Sequence, residues 1–266
     1  MRKTFIEHFS NLAEKNQNLQ ILLGDISVFQ FKKNNKLPSN IHNMGILEQS
    51  MIGFGAGLSA EGLYPVMHTI SPFIVERAFE QIKVNFCLNN LPGLFITVGG
   101  VCDYYSLGRT HHSPNDISIL STLPNIEFAC PTNDQNLIEI IDDALKYRRL
   151  IYIRLTENFL NPTSVEKKFN FLKDNSKCQL FCGELPYNQV YHKNADRIFI
   201  ESSLDIKSYD WKYDEIHVFE PSIGASFSNR LRKYYPGRII SYHLNSDGPK
   251  SAKSSFKNTR KTYEYL

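Results

Sequence analysis

The sequence lacks the features of several protein classes. Among its 266 residues, no apolar run approaches the ~18 residues of a membrane span, and the amino-terminal segment carries Glu7 and then turns polar, unlike a signal peptide. Lys and Arg total 30 against 27 for Asp and Glu, and the net charge of +3 is too small for a strongly basic nucleic-acid surface. These absences predict a cytoplasmic protein that binds neither membrane nor nucleic acid.

Cysteine is also scarce, since the chain has five and none forms a C-x-x-C pair. We therefore expect neither a disulfide framework nor a zinc site, and the thiols are expected to fill the core of a reduced protein. Internal repeats, low-complexity runs and a Gly-rich phosphate loop are missing too. A hydrophobic share of 42% and a charged share of 21% are typical of a globular protein with one large domain or two modest ones.

Short apolar runs alternate with helical patterns through residues 1–155. The predicted strands are Leu19–Leu23, Tyr64–Thr69, Leu94–Val98, Ile126–Cys130 and Ile151–Leu155. The predicted helices are Thr4–Lys15, Glu48–Glu61, Phe73–Leu88 and Asn133–Tyr147, the last capped by Thr132 or Asn133. This alternation predicts an α/β fold with a parallel sheet, whose sites lie at the carboxyl ends of the strands.

The composition changes after residue 157. Residues 158–179 are polar and are predicted to be a linker. Strand-like runs at 197–201, 215–219 and 238–242 and a helix-like run at 225–235 predict a second, smaller α/β domain over residues 180–244. The remaining residues, 245–266, form a tail with five cations and two anions, which accounts for the whole net charge of the chain.

Three segments near predicted strand ends carry residues that are useful for chemistry. Glu48 begins a Gly-rich helix, Phe73 lies near the start of the next one, and His111 and His112 stand in a polar loop. Each has an ordinary explanation when taken alone, as a charge at a helix start, a core aromatic or a surface histidine pair. No further ligands stand at a spacing that suits a metal, so no metal ligand is predicted in this chain.

Taken in order, the motifs resemble the pyrimidine-binding half of thiamine-diphosphate enzymes of the transketolase and deoxyxylulose-phosphate synthase group. The resemblance covers residues 2–154 and is carried by G-I-L-E-Q-S-M, G-L-S-A-E-G-L-Y-P-V, F-I-V-E-R-A-F-E-Q-I, G-R-T-H-H-S-P-N-D, L-P-N-I-E-F-A-C-P-T-N and I-Y-I-R-L. It implies a pyrimidine-binding domain over residues 1–157. Residues 180–244 would then be a shortened version of the transketolase C-terminal domain, with V-F-E-P as its best matching piece.

The resemblance also implies roles for single residues. Glu48 matches the glutamate that hydrogen-bonds the cofactor's pyrimidine ring and activates it, and Phe73 matches the aromatic residue that stacks on that ring. His111 matches the histidine that moves protons of substrate hydroxyls, and Arg154 an arginine that holds a substrate phosphate. The implied cofactor is thiamine diphosphate, and the implied reaction is transfer of a two-carbon ketol unit between sugar-type substrates.

The sequence departs from the family in its substrate loop. Leu107 and Arg109 stand where transketolases carry Asp and Pro, and the loop that follows Gly99 lacks their histidine. These changes put the usual sugar specificity in doubt. We expect Arg109 to supply a replacement charge toward the substrate.

The largest departure is the absence of a G-D-G segment, through which these enzymes hold the diphosphate by a divalent ion. The nearest match, Gly24-Asp25-Ile26, lies in the first strand of the pyrimidine domain. The resemblance therefore implies an N-terminal transketolase subunit that supplies the diphosphate site with Mg²⁺ or Ca²⁺. The expected assembly is α₂β₂, and the chain is expected to be active only with its partner.

Two other readings of the same motifs remain open. One is the β subunit of a 2-oxoacid dehydrogenase, which uses the same cofactor but releases CO₂. The other is a non-catalytic assembly subunit. The G-x-T-H-x-S loop and the short second domain favour the transketolase side.

Overall fold

The computed structural model describes residues 1–100, 103–104, 107–156, 176–183 and 195–243, with only the backbone of Arg109 and Arg197. Its strands are β1 Leu19–Leu23, β2 Ile41–Asn43, β3 Tyr64–Ile70, β4 Gly93–Val98, β5 Glu127–Ala129, β6 Leu150–Arg154, β7 Lys177–Cys182, β8 Asp196–Ile200, β9 Glu215–Phe219 and β10 Arg238–Tyr242. The helices are α1 Arg2–Lys15, α2 Val28–Phe31, α3 Glu48–Ala60, α4 Ser71–Val75, α5 Phe79–Gln81, α6 Asp116–Ser121, α7 Asp134–Lys146 and α8 Ser226–Leu231. Shorter helical pieces are a π-helix at Ile82–Cys87 and 3₁₀ turns at Arg109–His111 and Asp205–Ser208. Along these described ranges, no helix has both the length and the apolar content to cross a membrane.

The first sheet has six parallel strands in the order β2-β1-β3-β4-β6-β5. Strands β4 and β6 are buried along their whole length, as expected for a parallel sheet covered by helices on both faces. This confirms the predicted α/β class. It also brings the carboxyl ends of β1, β3 and β4 side by side, with the loops that carry the predicted site residues.

The second sheet has four parallel strands in the order β10-β9-β7-β8. Each sheet with its helices forms one unit, and the second unit packs on the first. One hydrophobic cluster runs through both sheets, and at their junction the rings of Phe128 and Phe227 lie 4.9 Å apart. Backbone hydrogen bonds join the units as well, from Cys130 N to Glu201 O at 2.7 Å and from Ile223 N to Pro114 O at 2.8 Å. The two units therefore share a core.

Two strands were not predicted from the sequence. Strand β2 has three residues, too few to show an alternating pattern. Strand β7 begins at Lys177, inside the segment 158–179 that was predicted to be a linker. The rest of that segment up to residue 175, and the tail 245–266, lie outside the described residues.

The predicted helix over Phe73–Leu88 is broken into α4, α5 and the π-helix. The break lies at Glu76 and Arg77, which have partners outside the helix. Ser113 Oγ donates to Glu76 at 2.9 Å, and Arg77 donates to Glu48 at 2.7 Å. The sequence shows a continuous apolar period because both pieces pack on the same core, but it does not show these long-range bonds.

Candidate functional site

The site lies at the carboxyl edge of the first sheet. Glu48 is the first residue of α3, Phe73 lies in α4 after β3, and His111 ends the 3₁₀ turn after β4. The rings of Phe73 and His111 are 5.3 Å apart at an interplanar angle of 70°. The contact between Phe73 and Glu48 runs through a fourth residue, Arg77.

The Glu48 carboxyl is fully buried, with 0% of its side chain exposed. Its Oε2 accepts a hydrogen bond from Arg77 Nη1 at 2.7 Å, and its Oε1 accepts one from Thr69 Oγ1 at 3.3 Å. The first turn of α3 also favours a negative charge through the helix dipole. A buried carboxylate is costly without such partners, so this one depends on the cation beside it.

Arg77 connects the two halves of the site. Its Cζ lies 4.2 Å from the centroid of the Phe73 ring while its Nη1 is bound to Glu48, and 40% of its side chain is exposed. Sequence reasoning gave Arg77 no role, although it stands four residues after Phe73 in F-I-V-E-R-A-F-E-Q-I, a spacing that places two helical residues on one face.

His111 borders the site from the loop after β4. It is half-buried, and its Nδ1 lies 2.9 Å from Thr110 Oγ1. The neighbouring His112 is buried, so His111 is the more accessible member of the pair. The Arg109 side chain lies outside the described part of the chain, so its expected contact with substrate stays a prediction.

Arg154 does not have the surroundings expected of a phosphate clamp. Its side chain has no exposed surface. Nη1 donates to Asp116 Oδ1 at 2.7 Å and Nη2 to Pro221 O at 2.8 Å. In this chain both Nη atoms are therefore bound away from solvent, and the substrate-phosphate role that the resemblance implies for Arg154 stays a prediction. Arg154 joins β6 to α6 and to the second unit.

Asp116 is the centre of this buried network and was missed as a site-forming residue. Its Oδ2 accepts hydrogen bonds from Tyr152 Oη at 2.6 Å and from Ser71 Oγ at 3.1 Å. Burial, followed by the charge of Asp116, raises the pKa of the Tyr152 hydroxyl well above its usual range, so this hydroxyl stays a donor. Because Ser71 begins α4, the network fixes the helix that carries Phe73.

The site combines the buried Glu48 carboxyl with the face of the Phe73 ring. The planar Arg77 guanidinium lies against both groups. This arrangement suits a flat heterocycle with an in-plane N–H donor, such as an aminopyrimidine, held by Glu48 and Phe73. Within the described residues, no group of three or more His, Cys, Asp and Glu side chains is arranged to hold a metal ion.

Comparison with known proteins identifies the family of the chain. Residues 1–162 match the family model described as "Transketolase, pyrimidine binding domain". The chain is 37% identical over 120 residues to an apulose-4-phosphate transketolase subunit from Actinobacillus succinogenes, covering 45% of this chain and 39% of that protein. It is 34% identical over 154 residues to the 1-deoxy-D-xylulose-5-phosphate synthase of Alkaliphilus oremlandii, covering 58% of this chain and 23% of that protein. The matches thus span less than half the length of these relatives.

A solved structure described as "Split gene transketolase, inactive beta4 tetramer" shares the fold. Its TM-score is 0.72 at 20% identity, over 98% of this chain and 92% of that one. Because the family model covers more than half of the sequence, the chain belongs to the transketolase pyrimidine-binding-domain family.

Proposed function

We propose that this chain is the pyrimidine-half subunit of a two-chain transketolase, which uses thiamine diphosphate to transfer two-carbon ketol units between sugar-type substrates. The observation that carries the proposal is the meeting of Glu48, Phe73 and His111 at one sheet edge. Membership of the family supports it, as does the likeness to a relative named as a transketolase subunit.

Each residue has a proposed task that its surroundings allow. When bound, the cofactor supplies an electron sink for breaking and forming a carbon–carbon bond. Glu48 hydrogen-bonds the aminopyrimidine, and Phe73 packs on its face. His111, which is half-buried at the rim, accepts and returns a proton of a substrate hydroxyl. Arg109 supplies positive charge toward the substrate in place of the family's usual loop residues.

A partner subunit is proposed because the sequence has no G-D-G segment for a diphosphate-bound ion. An N-terminal transketolase chain would bring that segment with Mg²⁺ or Ca²⁺, in an α₂β₂ assembly. One face of α3 supports this. Leu47 and Phe54, seven residues apart, are 59% and 48% exposed, and at Gly57 an added Cβ would meet no atom within 4 Å. We call these three residues the α3 stripe and propose that the partner subunit covers it.

The test is reconstitution with a chain that carries G-D-G and a downstream Asn. The pair should transfer ketol units from a ketose in the presence of thiamine diphosphate and Mg²⁺. Glu48→Gln should lower kcat by about 100-fold or more. Glu139→Gln, an exposed carboxylate on α7, is the matched control and should keep the wild-type rate.

Three outcomes would contradict parts of the proposal. Turnover by the purified chain alone would refute the need for a partner. Release of CO₂ from pyruvate without ketol transfer would identify a 2-oxoacid dehydrogenase subunit. A Glu48→Gln pair as fast as the wild type would indicate a non-catalytic assembly subunit.

A further inference from the structure

We propose that Arg77 is an internal latch, whose guanidinium occupies the aminopyrimidine position in the cofactor-free chain and must leave when the cofactor binds. The inference rests on the proposed function, because it takes Glu48 and Phe73 as the groups that hold the aminopyrimidine. It adds a contact in which Arg77, a residue of the same subunit, blocks the aminopyrimidine position.

One group, the Arg77 guanidinium, contacts both Glu48 and Phe73. The Arg77 Nη1 is 2.7 Å from Glu48 Oε2, and its Cζ is 4.2 Å from the Phe73 centroid. A guanidinium is planar and donates hydrogen bonds in its plane, and it stacks on aromatic faces. It therefore meets the same two demands, an in-plane donor for the carboxylate and a flat face for the ring, as an aminopyrimidine.

The Arg77 guanidinium and a bound aminopyrimidine cannot occupy this place together. Phe73 has His111 edge-on at 5.3 Å as well as Arg77 over its ring. A heterocycle that stacks on the guanidinium-covered face and bonds Glu48 Oε2 needs the space that Arg77 fills. Glu48 Oε1 can keep its bond from Thr69 Oγ1 throughout, so the exchange involves a single oxygen.

Arg77 can leave the site at low cost, whereas Glu48 cannot. Arg77 is 40% exposed, so its guanidinium can swing into water, where a cation is well solvated. The Glu48 side chain has 0% exposure and needs a partner in either state. Arg77 keeps the buried carboxylate compensated until another group takes over. The apparent affinity for the cofactor is then the intrinsic affinity multiplied by the fraction of chain in which Arg77 has left the site.

The experiment uses the purified chain and a probe that needs only this subunit, 4-amino-5-hydroxymethyl-2-methylpyrimidine, titrated by NMR and calorimetry. Arg77→Ala should bind the probe about tenfold more tightly than the wild type, a change of roughly 1.4 kcal/mol. Glu48→Gln should lose binding. Arg148→Ala is the matched control, since Arg148 also lies over an aromatic ring, Tyr64, away from Glu48, and it should bind like the wild type.

A second readout does not depend on any ligand. In a double-mutant cycle of Arg77→Ala and Glu48→Gln, thermal unfolding should show coupling, with the double variant more stable than the sum of the single losses predicts. If Arg77→Ala does not fold, Arg77→Lys, which keeps the charge without the planar stack, should still bind the probe more tightly than the wild type.

The outcomes distinguish the blocking role of Arg77 from the existence of the pyrimidine site. Equal probe affinity for Arg77→Ala and the wild type, with loss in Glu48→Gln, would refute the latch and support the site. Weaker binding by Arg77→Ala would make Arg77 a ligand of the pyrimidine and overturn the latch. Failure of every variant to bind would overturn both the latch and the pyrimidine site on which it rests.

Discussion

At the scale of single residues, Arg154 shows how burial decides what a charge can do. A guanidinium bound to Asp116 and Pro221 O with no exposed surface stabilises the junction of two units. We predict that Arg154→Met lowers the free energy of unfolding by about 3–5 kcal/mol, because it leaves the Asp116 carboxylate buried without its cation. Urea denaturation of the isolated chain measures this.

The control for this prediction removes both charges. Arg154→Met combined with Asp116→Leu should recover a large part of the loss, since no uncompensated charge remains. If Arg154→Met instead kept its stability and raised only the KM for a phosphorylated substrate, the result would support the phosphate role implied by the resemblance.

His68 gives a prediction about pH. Its Nδ1 donates to Ile96 O at 2.9 Å, so its Nε2 accepts from Ser27 Oγ at the same distance. Burial lowers the pKa of His68 to about 4, whereas an unfolded histidine titrates near 6.5. Between these values the unfolded chain binds more protons, so the His68 contribution is complete above pH 6.5 and is lost as the pH falls toward 4.

The expected loss from His68 is roughly 3 kcal/mol between pH 7 and pH 4. His68→Gln should show a flatter stability profile across this range in chemical denaturation at several pH values. His42→Gln on β2, whose Nε2 lies 3.1 Å from Gln20 Oε1, serves as the control and should keep the wild-type slope. A wild-type slope in His68→Gln would contradict the assignment.

The sequence allowed part of the site to be predicted and hid the rest. Glu48, Phe73 and His111 stand in ordered motifs, and the structure brings them to one edge of the sheet. The partners of Arg77 and Arg154 depend on contacts 29 and 38 residues away in the chain, and no local pattern reports them. An arginine at a strand end looks the same in sequence whether it faces substrate or a second domain.

At the scale of elements, the close approach of β1 to β3 gives the next prediction. An added Cβ at Gly24 would lie 2.9 Å from both Cβ and Oγ1 of Thr69, a branched side chain that cannot swing away. Gly24→Ala should therefore destabilise the chain by about 1–3 kcal/mol. It should also disturb Glu48, because Thr69 donates to that carboxyl.

Gly57 in α3 provides the matched control, since its added Cβ would meet nothing within 4 Å. Gly57→Ala should stabilise the isolated chain by up to about 1 kcal/mol through helix propensity. Thermal unfolding of both variants compares them directly. Equal effects of the two substitutions would contradict the tight packing at Gly24.

The elements themselves were predictable where the apolar pattern is strong. Strands Glu215–Phe219 and Arg238–Tyr242 match their predicted ranges, and Asn133 caps α7 by accepting a bond from Asn136 N at 2.9 Å. The pattern failed for β7, which carries the polar Gln179 among its buried positions in a segment rich in Lys and Asn. It also failed at the break after α4, where Glu76 and Arg77 make hydrogen bonds to residues distant in the sequence.

At the scale of the whole molecule, the main feature is the hydrophobic core that the two units share. The sequence predicts two domains, and in the described residues one hydrophobic cluster and several backbone hydrogen bonds connect the two units. Arg154 and Asp116 lie at that junction and also fix the start of α4 through Ser71. The second unit therefore helps to fix the geometry of the site through Arg154 and Asp116.

The last prediction concerns the proposed partner subunit and the α3 stripe. If the partner subunit covers this face, a charge at its centre must be buried on assembly, which is costly without a countercharge. Phe54→Glu should weaken association with the G-D-G-bearing chain by at least about tenfold, as at a central interface residue. Because Phe54 is 48% exposed in the single chain, the thermal stability of the isolated variant should stay close to that of the wild type.

Tyr234→Glu, at a side chain 44% exposed on the second unit, controls for the loss of an exposed aromatic and should leave association unchanged. Sedimentation velocity of the mixed subunits measures both. Wild-type affinity in Phe54→Glu would exclude this face of α3 as the docking surface and leave the partner to approach the site from another side.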